Sequence, residues 1–515
     1  MKNKILKLLF GLVAIFTVNL SCTDDLNTKP ITELSLEEVL AQDPQAVEGI
    51  LSRLYGSFAL SGADGSGSSD ISDDAGESPF LRGIINLQDF AADAMKNRWG
   101  DNGLDQLTTT SDWTPDNKFF RYLYNRIFFT IPQCNNLLSI LPNVDVENKD
   151  VIVSEVRFIR ALANFYLIDV FGKGVLSTED NVGQTDPLPQ ASRQELFDFV
   201  ESELLEIEAI LPTTNTYGRA TKGAAQMLLA KLYLNAEVYT GTPRYGDAAT
   251  YANKVITEGP YNLANDFVSI FSADNDSSTE IIFPLIADAQ VSQSFGNTTY
   301  IVNGSLNADT TPLSQFGATE GWAGHRSSKA WYGLFGDLET STDDRAKLFW
   351  TDGHNYEMED YKKWVDGYPS IKFRNTNFTG SSLPSSFSPT DFPLFRLADA
   401  YLMYAECAVR GAAGADMGTA VQYVNNVRTR SNASAITQTD LTEQFIIDER
   451  ARELNLEGHR RTDLIRFGMF TGNSYLWPWK GGVKEGTSIP EAYKLYPIPS
   501  SALQANPNLT QNPGF

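Results

Sequence analysis

Apolar positions repeat with a helical period in four long stretches of the chain. In EVRFIRALANFYLIDVFG (155–172), Val156, Ile159, Ala163, Tyr166, Leu167 and Val170 fall on one stripe. SRQELFDFVESELLEIEAILP (192–212) opens with Ser192 followed three residues later by Glu195, the pattern of a capping box, and closes at Pro212. GRATKGAAQMLLAKLYLNAEVYTG (218–241) and FRLADAYLMYAECAVRGAAG (395–414) are rich in Ala and Leu, which lets a neighbouring helix approach closely. Ala248, Ala252, Val255 and Pro260 follow the spacing of the second helix in a tetratricopeptide repeat, although the loop before them, TGTPRYGD, is long for such a unit. The pattern predicts an all-α fold, a superhelical scaffold of tetratricopeptide-like helix pairs.

Two stretches break that pattern. Residues 61–77 (SGADGSGSSDISDDAGE) and 268–390 are rich in Gly, Ser, Thr and Asn. The second contains short strand-like pieces, EIIFPLI, TTYIVNG and SIKFRNT, and reads as a loop-rich insert mounted on helices spanning about 41–267 and 391–515. Binding residues concentrate in such loops rather than in the helices beneath them.

The N-terminus adds a location. MKNKILKLLFGLVAIFTVNLSC has three lysines, an apolar run from Ile5 to Val18, then Ser21-Cys22. The run is too short to span a membrane, so 1–21 reads as a lipoprotein signal peptide. Cys22 becomes the acylated first residue of a tether, 22–40, leading into a single body over 41–515. Cys134 and Cys407 lie inside helical patterns and are expected to be buried free thiols.

Charge narrows the partners. With 41 Lys and Arg against 64 Asp and Glu, the chain carries −23, which repels nucleic acid and anionic headgroups and leaves neutral ligands open. The densest charge run, DERARELNLEGHRRTDLIRFG (448–468), sets Glu449/Arg452, Arg450/Glu453 and Glu457/Arg460/Arg461 at helical pair spacings, as in a structural helix laced by ion pairs. In SADNDSSTE, Asp274, Asp276 and Glu280 are clustered oxygen ligands: an acidic turn, with a structural Ca²⁺ site as the alternative. The three histidines, 325, 354 and 459, are scattered, and no hydrolase elbow or phosphate loop occurs. A glycoside hydrolase needs only two carboxylates, so composition alone leaves that class open.

The aromatic residues carry the sharper signal. Trp99 stands in RWGDNG and Trp322 in ATEGWAGHR, both Gly-rich and aperiodic, whereas Trp331, Trp350, Trp364, Trp477 and Trp479 read as packing. A pyranose ring offers a C–H face to an aromatic plane and hydroxyls to planar donors and acceptors. An indole on a polar turn suits that ligand.

The segments DERARELNLEGHRRTDLIRFG and KLYPIPSSALQANPNLTQNPGF (494–515), with the earlier helical blocks in the same order, resemble the SusD/RagB family of Bacteroidetes outer-membrane glycan-binding lipoproteins. The resemblance implies no catalysis, attachment to the outer membrane facing the cell exterior, and a SusC-like TonB-dependent transporter as partner. RWGDNG, LYLNAEVYTGTPRYGDAATYA, EIIFPLIADAQ and SFGNTTYIV are similar to the starch-binding branch. That similarity implies an aromatic arc of Trp99, Tyr300 and Trp322 around an α-glucan, with Asn102, Arg82 and Asp74 as polar contacts. A different glycan is the alternative.

Overall fold

The structure is a computed structural model that describes residues 36–100, 103–381 and 384–515. It is mostly helical, as the periodicity predicts. The long helices before the insert are α1 (Ala46–Ala59), α2 (Lys118–Ile140), α3 (Lys149–Tyr166), α4 (Arg193–Glu208), α5 (Lys222–Leu234) and α6 (Tyr245–Glu258). The insert carries α7 (Thr298–Ser305), and after it come α8 (Leu397–Val409), α9 (Met417–Arg430), α10 (Glu443–Leu454) and α11 (Arg460–Arg466). Helices α2 to α6 each pack on the next, α6 packs on α8 and α8 on α9, so the stack continues across the insert.

Local chemistry sets the helix ends. At the start of α4, the Ser192 hydroxyl accepts the Glu195 N–H (3.2 Å) and the Glu195 carboxylate accepts the Ser192 N–H (2.7 Å). A cap of this kind stabilises a helix by about 1 kcal/mol. Helix α4 stops at Glu208, a turn short of Pro212. Ala248, Ala252 and Val255 are fully buried on α6, and Pro260 lies just beyond its end. The connection before α6 is shorter than TGTPRYGD implies, because Tyr245, Gly246 and Asp247 already belong to the helix.

Four short strands organise the insert. Strand β2 (Ile281–Leu285) pairs antiparallel with β4 (Phe392–Arg396), so the insert leaves and re-enters the scaffold at one place. Strand β1 (Met95–Asn97) pairs antiparallel with β3 (His325–Ser327), tying the RWG turn to the insert. EIIFPLI therefore forms a strand, but TTYIVNG does not. It is helix α7, because the Asn297 side chain accepts the Thr299 N–H (3.1 Å) and caps it. A short apolar run has no period long enough to separate strand from helix, and the cap decides. SIKFRNT is irregular apart from a bridge between Ser370 and Phe349.

The charge-dense segment is structural, but its partners are distant. Of the pairings named from helical spacing only Glu449–Arg452 forms (2.8 Å), and Asp463–Arg466 adds another within the segment (2.7 Å). Fully buried Glu449 also receives Arg345 (2.8 Å) and Arg428 (2.6 Å). Glu453 receives Arg345 (2.8 Å), Arg396 (2.7 Å) and Arg430. Glu457 pairs with Arg396 and Lys372, Arg450 with Asp399 and Asp463, and Arg460 with Asp93. Burial alone would raise the Glu453 carboxyl, but Arg430, Arg396 and Arg345 hold it well below the carboxylate range.

Cys134 and Cys407 are free and buried, as expected, and burial pushes the Cys134 thiol up to about 12. Among the described residues, no helix is long and apolar enough to cross a membrane. Cys22 lies outside the described residues.

Candidate functional site

Helix α7 builds one wall of the site. The last carbonyls of a helix have no partner within it and must find donors elsewhere. Here the N–H groups of the tryptophan turn supply them. Trp322 donates to the Asn303 carbonyl (2.6 Å), Gly324 to that of Gly304 (2.8 Å) and Ala323 to that of Leu306, just past the helix end (2.7 Å). Ala323 is left at φ +50°, a left-handed conformation that costs a non-glycine residue about 1–2 kcal/mol. The turn is thus over-determined by its surroundings, a state found where backbone geometry serves function.

Strand β1 delivers Trp99 to the same place. The Trp99 indole N–H donates to the Trp322 carbonyl (3.2 Å), and the Arg98 N–H to the Gly324 carbonyl (3.0 Å). Gly324 is glycine for lack of room: a Cβ there would lie 2.4 Å from the six-membered ring of Trp99. Trp99 and Trp322 are both half-buried, with ring centres 6.5 Å apart.

The row continues past the two tryptophans. Half-buried Phe295 lies 6.4 Å from Trp322, and half-buried Phe387 lies 4.7 Å from Phe295. The 74–79 loop packs against this end, with Gly76 beside Phe295 and the Arg82 N–H on the Gly296 carbonyl (3.0 Å). Phe295 (SQSFGN) and Phe387 (SSFSPT) were not among the sequence candidates. Their signal was the same as for Trp99, a lone aromatic among Gly and Ser, but weaker because Phe is common in cores.

Three sequence expectations need correction. Tyr300 is fully buried on α7, with its hydroxyl donating to Asn86 (2.7 Å) and the Arg82 guanidinium over its ring at 4.4 Å. It supports Trp99 (6.1 Å) from the inside and offers no face to a ligand. Arg82 is only 7% exposed; its guanidinium donates to the Gly76 carbonyl (3.2 Å) and meets Glu77 (3.4 Å). The calcium set does not assemble. Glu280 is fully buried and committed to Arg396 (2.9 Å) and Arg430 (2.8 Å), while Asp274 and Asp276 are exposed. Among the described residues, no group of three or more His, Cys, Asp or Glu could hold a metal ion.

Asp74 remains at the edge of the site, half-buried, with Oδ1 accepting the N–H groups of Gly76 (3.1 Å) and Glu77 (2.9 Å). Asn102 lies outside the described residues. Of the packing tryptophans, Trp331, Trp364 and Trp477 are buried and Trp350 and Trp479 half-buried. Two carboxylates of the adjoining turns have partners: Glu77 with Lys118 and Arg82, and Glu320 with the Trp322 indole N–H (3.0 Å).

Comparison with known proteins agrees with this architecture. The SusD family profile matches residues 349–515, and a profile described as starch-binding, associating with outer membrane, matches 78–234. Trp99 falls within the second stretch, whereas Phe295 and Trp322 fall between the two. The chain is 34% identical to the starch-binding protein SusD of Bacteroides thetaiotaomicron, with the whole of both chains covered. It is 26% identical to SusD-like protein P25 of Formosa agariphila over 79% of each chain. Among solved structures, a SusD superfamily protein from Bacteroides vulgatus superimposes with a TM-score of 0.71 at 20% identity, covering 92% of this chain and 99% of that one. Surface glycan-binding protein A of Bacteroides thetaiotaomicron, in complex with laminarihexaose, gives a TM-score of 0.70 at 21% identity, covering 91% of this chain and 99% of that one. These two structures share the fold; the full-length identity to the first relative carries more. The chain belongs to the SusD family.

Proposed function

We propose that this protein captures starch and malto-oligosaccharides at the outer face of the outer membrane and passes them to a SusC-like TonB-dependent transporter, held in place by an acylated Cys22. The observation that carries the reading is the row of half-buried aromatic rings from Trp99 through Trp322 and Phe295 to Phe387. Stacked pyranose faces need such a row, and a surface of charge −23 does not repel a neutral glucan. Each contact is weak in water, so affinity grows with the number of sugars engaged and with how little the site must reorganise.

Affinity electrophoresis of the protein through gels containing amylopectin, dextran or levan tests the reading. Retardation by amylopectin, lost in Trp99→Ala, is expected. Retardation by levan or dextran alone would replace starch with another glycan on the same platform. Release of reducing sugar from amylopectin by the pure protein would overturn the binding reading in favour of a hydrolase.

A further inference from the structure

Asn97 and His325 face each other across β1 and β3, and both are fully buried beneath Trp99. His325 Nε2 lies 2.9 Å from the Tyr300 carbonyl oxygen, which can only accept, so Nε2 carries a proton. The Trp99 N–H lies 2.6 Å from an amide atom of Asn97, which must be the oxygen because it has to accept. The Asn97 amide nitrogen therefore points at His325 Nδ1, 2.9 Å away, and donates to it. All three bonds run one way: Trp99 N–H to Asn97, Asn97 N–H to His325, His325 N–H to Tyr300. No other tautomer or amide orientation satisfies all three, and a proton on Nδ1 would set two donors against each other.

The surroundings are shaped for this arrangement. Gly304 gives the imidazole its place against α7, since a Cβ there would lie 2.0 Å from His325 Nε2. Phe90 (4.8 Å), Tyr300 (4.5 Å) and Trp99 (5.2 Å) enclose the ring. The charged groups facing it are Arg82, from the helical turn Phe80–Ile84, and Arg326, its neighbour on β3. Burial first, and then these two cations, hold the imidazole down to about 3, so it is neutral wherever the protein is folded near neutral pH.

We propose that Asn97 and His325 are positioning residues of the glycan platform, forming a one-directional hydrogen-bond relay that fixes the Trp99 turn and with it the plane of the indole. The proposal rests on the reading of Trp99 as the sugar-stacking ring. Trp99 is then held at both ends, its backbone N–H by Asn97 and its indole N–H by the Trp322 carbonyl (3.2 Å). A ring set in advance loses no ordering entropy when a sugar arrives. The relay itself has no titrating step between pH 5 and 8 and adds no pH dependence to glucan affinity over that range.

The test is long-range ¹H–¹⁵N NMR of the imidazoles in the full chain labelled with ¹⁵N-histidine, with maltoheptaose titrations alongside. The chain has three histidines, so His354→Gln and His459→Gln assign the spectrum by elimination. The expected result is a neutral Nε2–H imidazole at His325 from pH 8 to pH 5. A neutral Nδ1–H form, or a titration near 6.5, overturns the relay. Asn97→Asp keeps an acceptor for the Trp99 N–H and puts another opposite Nδ1; a proton on His325 Nδ1 at pH 7 is expected, with maltoheptaose affinity within about threefold of the native protein, whereas Asn97→Ala, which removes the acceptor for the Trp99 N–H, is expected to lower affinity about tenfold or more. Unchanged affinity in Asn97→Ala overturns the positioning role whatever the tautomer. Unchanged affinity in Trp99→Ala overturns the stacking reading and the positioning role with it, while the tautomer still reports separately on the relay.

Discussion

The segment richest in charge and the two tryptophan-bearing turns occupy each other's usual places. Glu449, Glu453, Glu457, Arg450 and Arg461 are buried, while Trp99 and Trp322 are half-exposed on polar turns. The first arrangement is tolerated because Glu449, Glu453 and Glu457 each meet two or more cations. The second is tolerated because the N–H groups of Arg98, Trp99, Trp322, Ala323 and Gly324 are all hydrogen-bonded while each indole stays half-exposed. Removing a buried pair's partner therefore damages folding, whereas, on the proposed function, removing a half-exposed ring damages recognition. Buried ion pairs are weak evidence for added stability, but breaking one leaves uncompensated charge in the interior.

Four substitutions would break or sharpen that contrast. The largest effect is expected from Glu453→Ala, which leaves Arg345, Arg396 and Arg430 short of a carboxylate. Destabilisation of about 3–5 kcal/mol by urea titration is expected. A loss under 1 kcal/mol would mean that Glu280, Glu449 and Glu457 suffice to balance the arginines. Trp99→Ala comes next: about 2 kcal/mol lost from maltoheptaose binding by calorimetry, roughly thirtyfold in Kd, with a smaller change in the unfolding midpoint. If the midpoint falls and the affinity does not, Trp99 is a plug for the loop.

The charged region also stores a pH response. His459 is held down to about 3, by burial first and then by Lys231, against 6.5 for an ordinary imidazole. The unfolded chain therefore binds one more proton than the folded chain between these values. His459 contributes its full stabilisation above pH 6.5, loses it as pH falls, and reaches its floor near pH 3. Between pH 6.5 and 5 the native protein is expected to lose about 2 kcal/mol relative to His459→Gln, read as the difference of their urea midpoints. Parallel pH profiles for the two proteins would show that the imidazole is not kept neutral. The smallest expected effect is Tyr300→Phe. It removes the bond to Asn86 and should lower stability by about 1 kcal/mol with glucan affinity unchanged. A weaker affinity would restore Tyr300 to the binding surface.

The scaffold was legible where a local signal sufficed. The Ser192–Glu195 capping box, the buried Ala248–Ala252–Val255 stripe and the buried thiols all depend on residues close in sequence. What escaped depends on partners far along the chain. Helical spacing paired Arg450 with Glu453, but in space Arg450 meets Asp399 and Asp463 while Glu453 meets Arg345, Arg396 and Arg430. Tyr300 entered the aromatic arc through the family resemblance, whereas the apolar run TTYIV suits burial as strand or helix; the structure buries it on the helix that Asn297 caps. Trp99 and Trp322 were visible as anomalies, large aromatics in Gly-rich turns. Phe295 and Phe387 were the same anomaly with a commoner side chain.

The antiparallel contact of Ile281–Leu285 with Phe392–Arg396 has a modular consequence. A segment of more than a hundred residues begins and ends at one doorway, so its length can drift with little effect on the helices. Loop-closure entropy grows only logarithmically, about 0.6 kcal/mol for each doubling. Such a cassette can be exchanged between scaffolds, with one restriction. The pairing of Met95–Asn97 with His325–Ser327 fastens it to the Trp99 turn, so a transplanted cassette works only with a matching strand 95–97. On the proposed function, new ligand preferences would be inherited as paired changes, one in the insert and one some two hundred residues upstream.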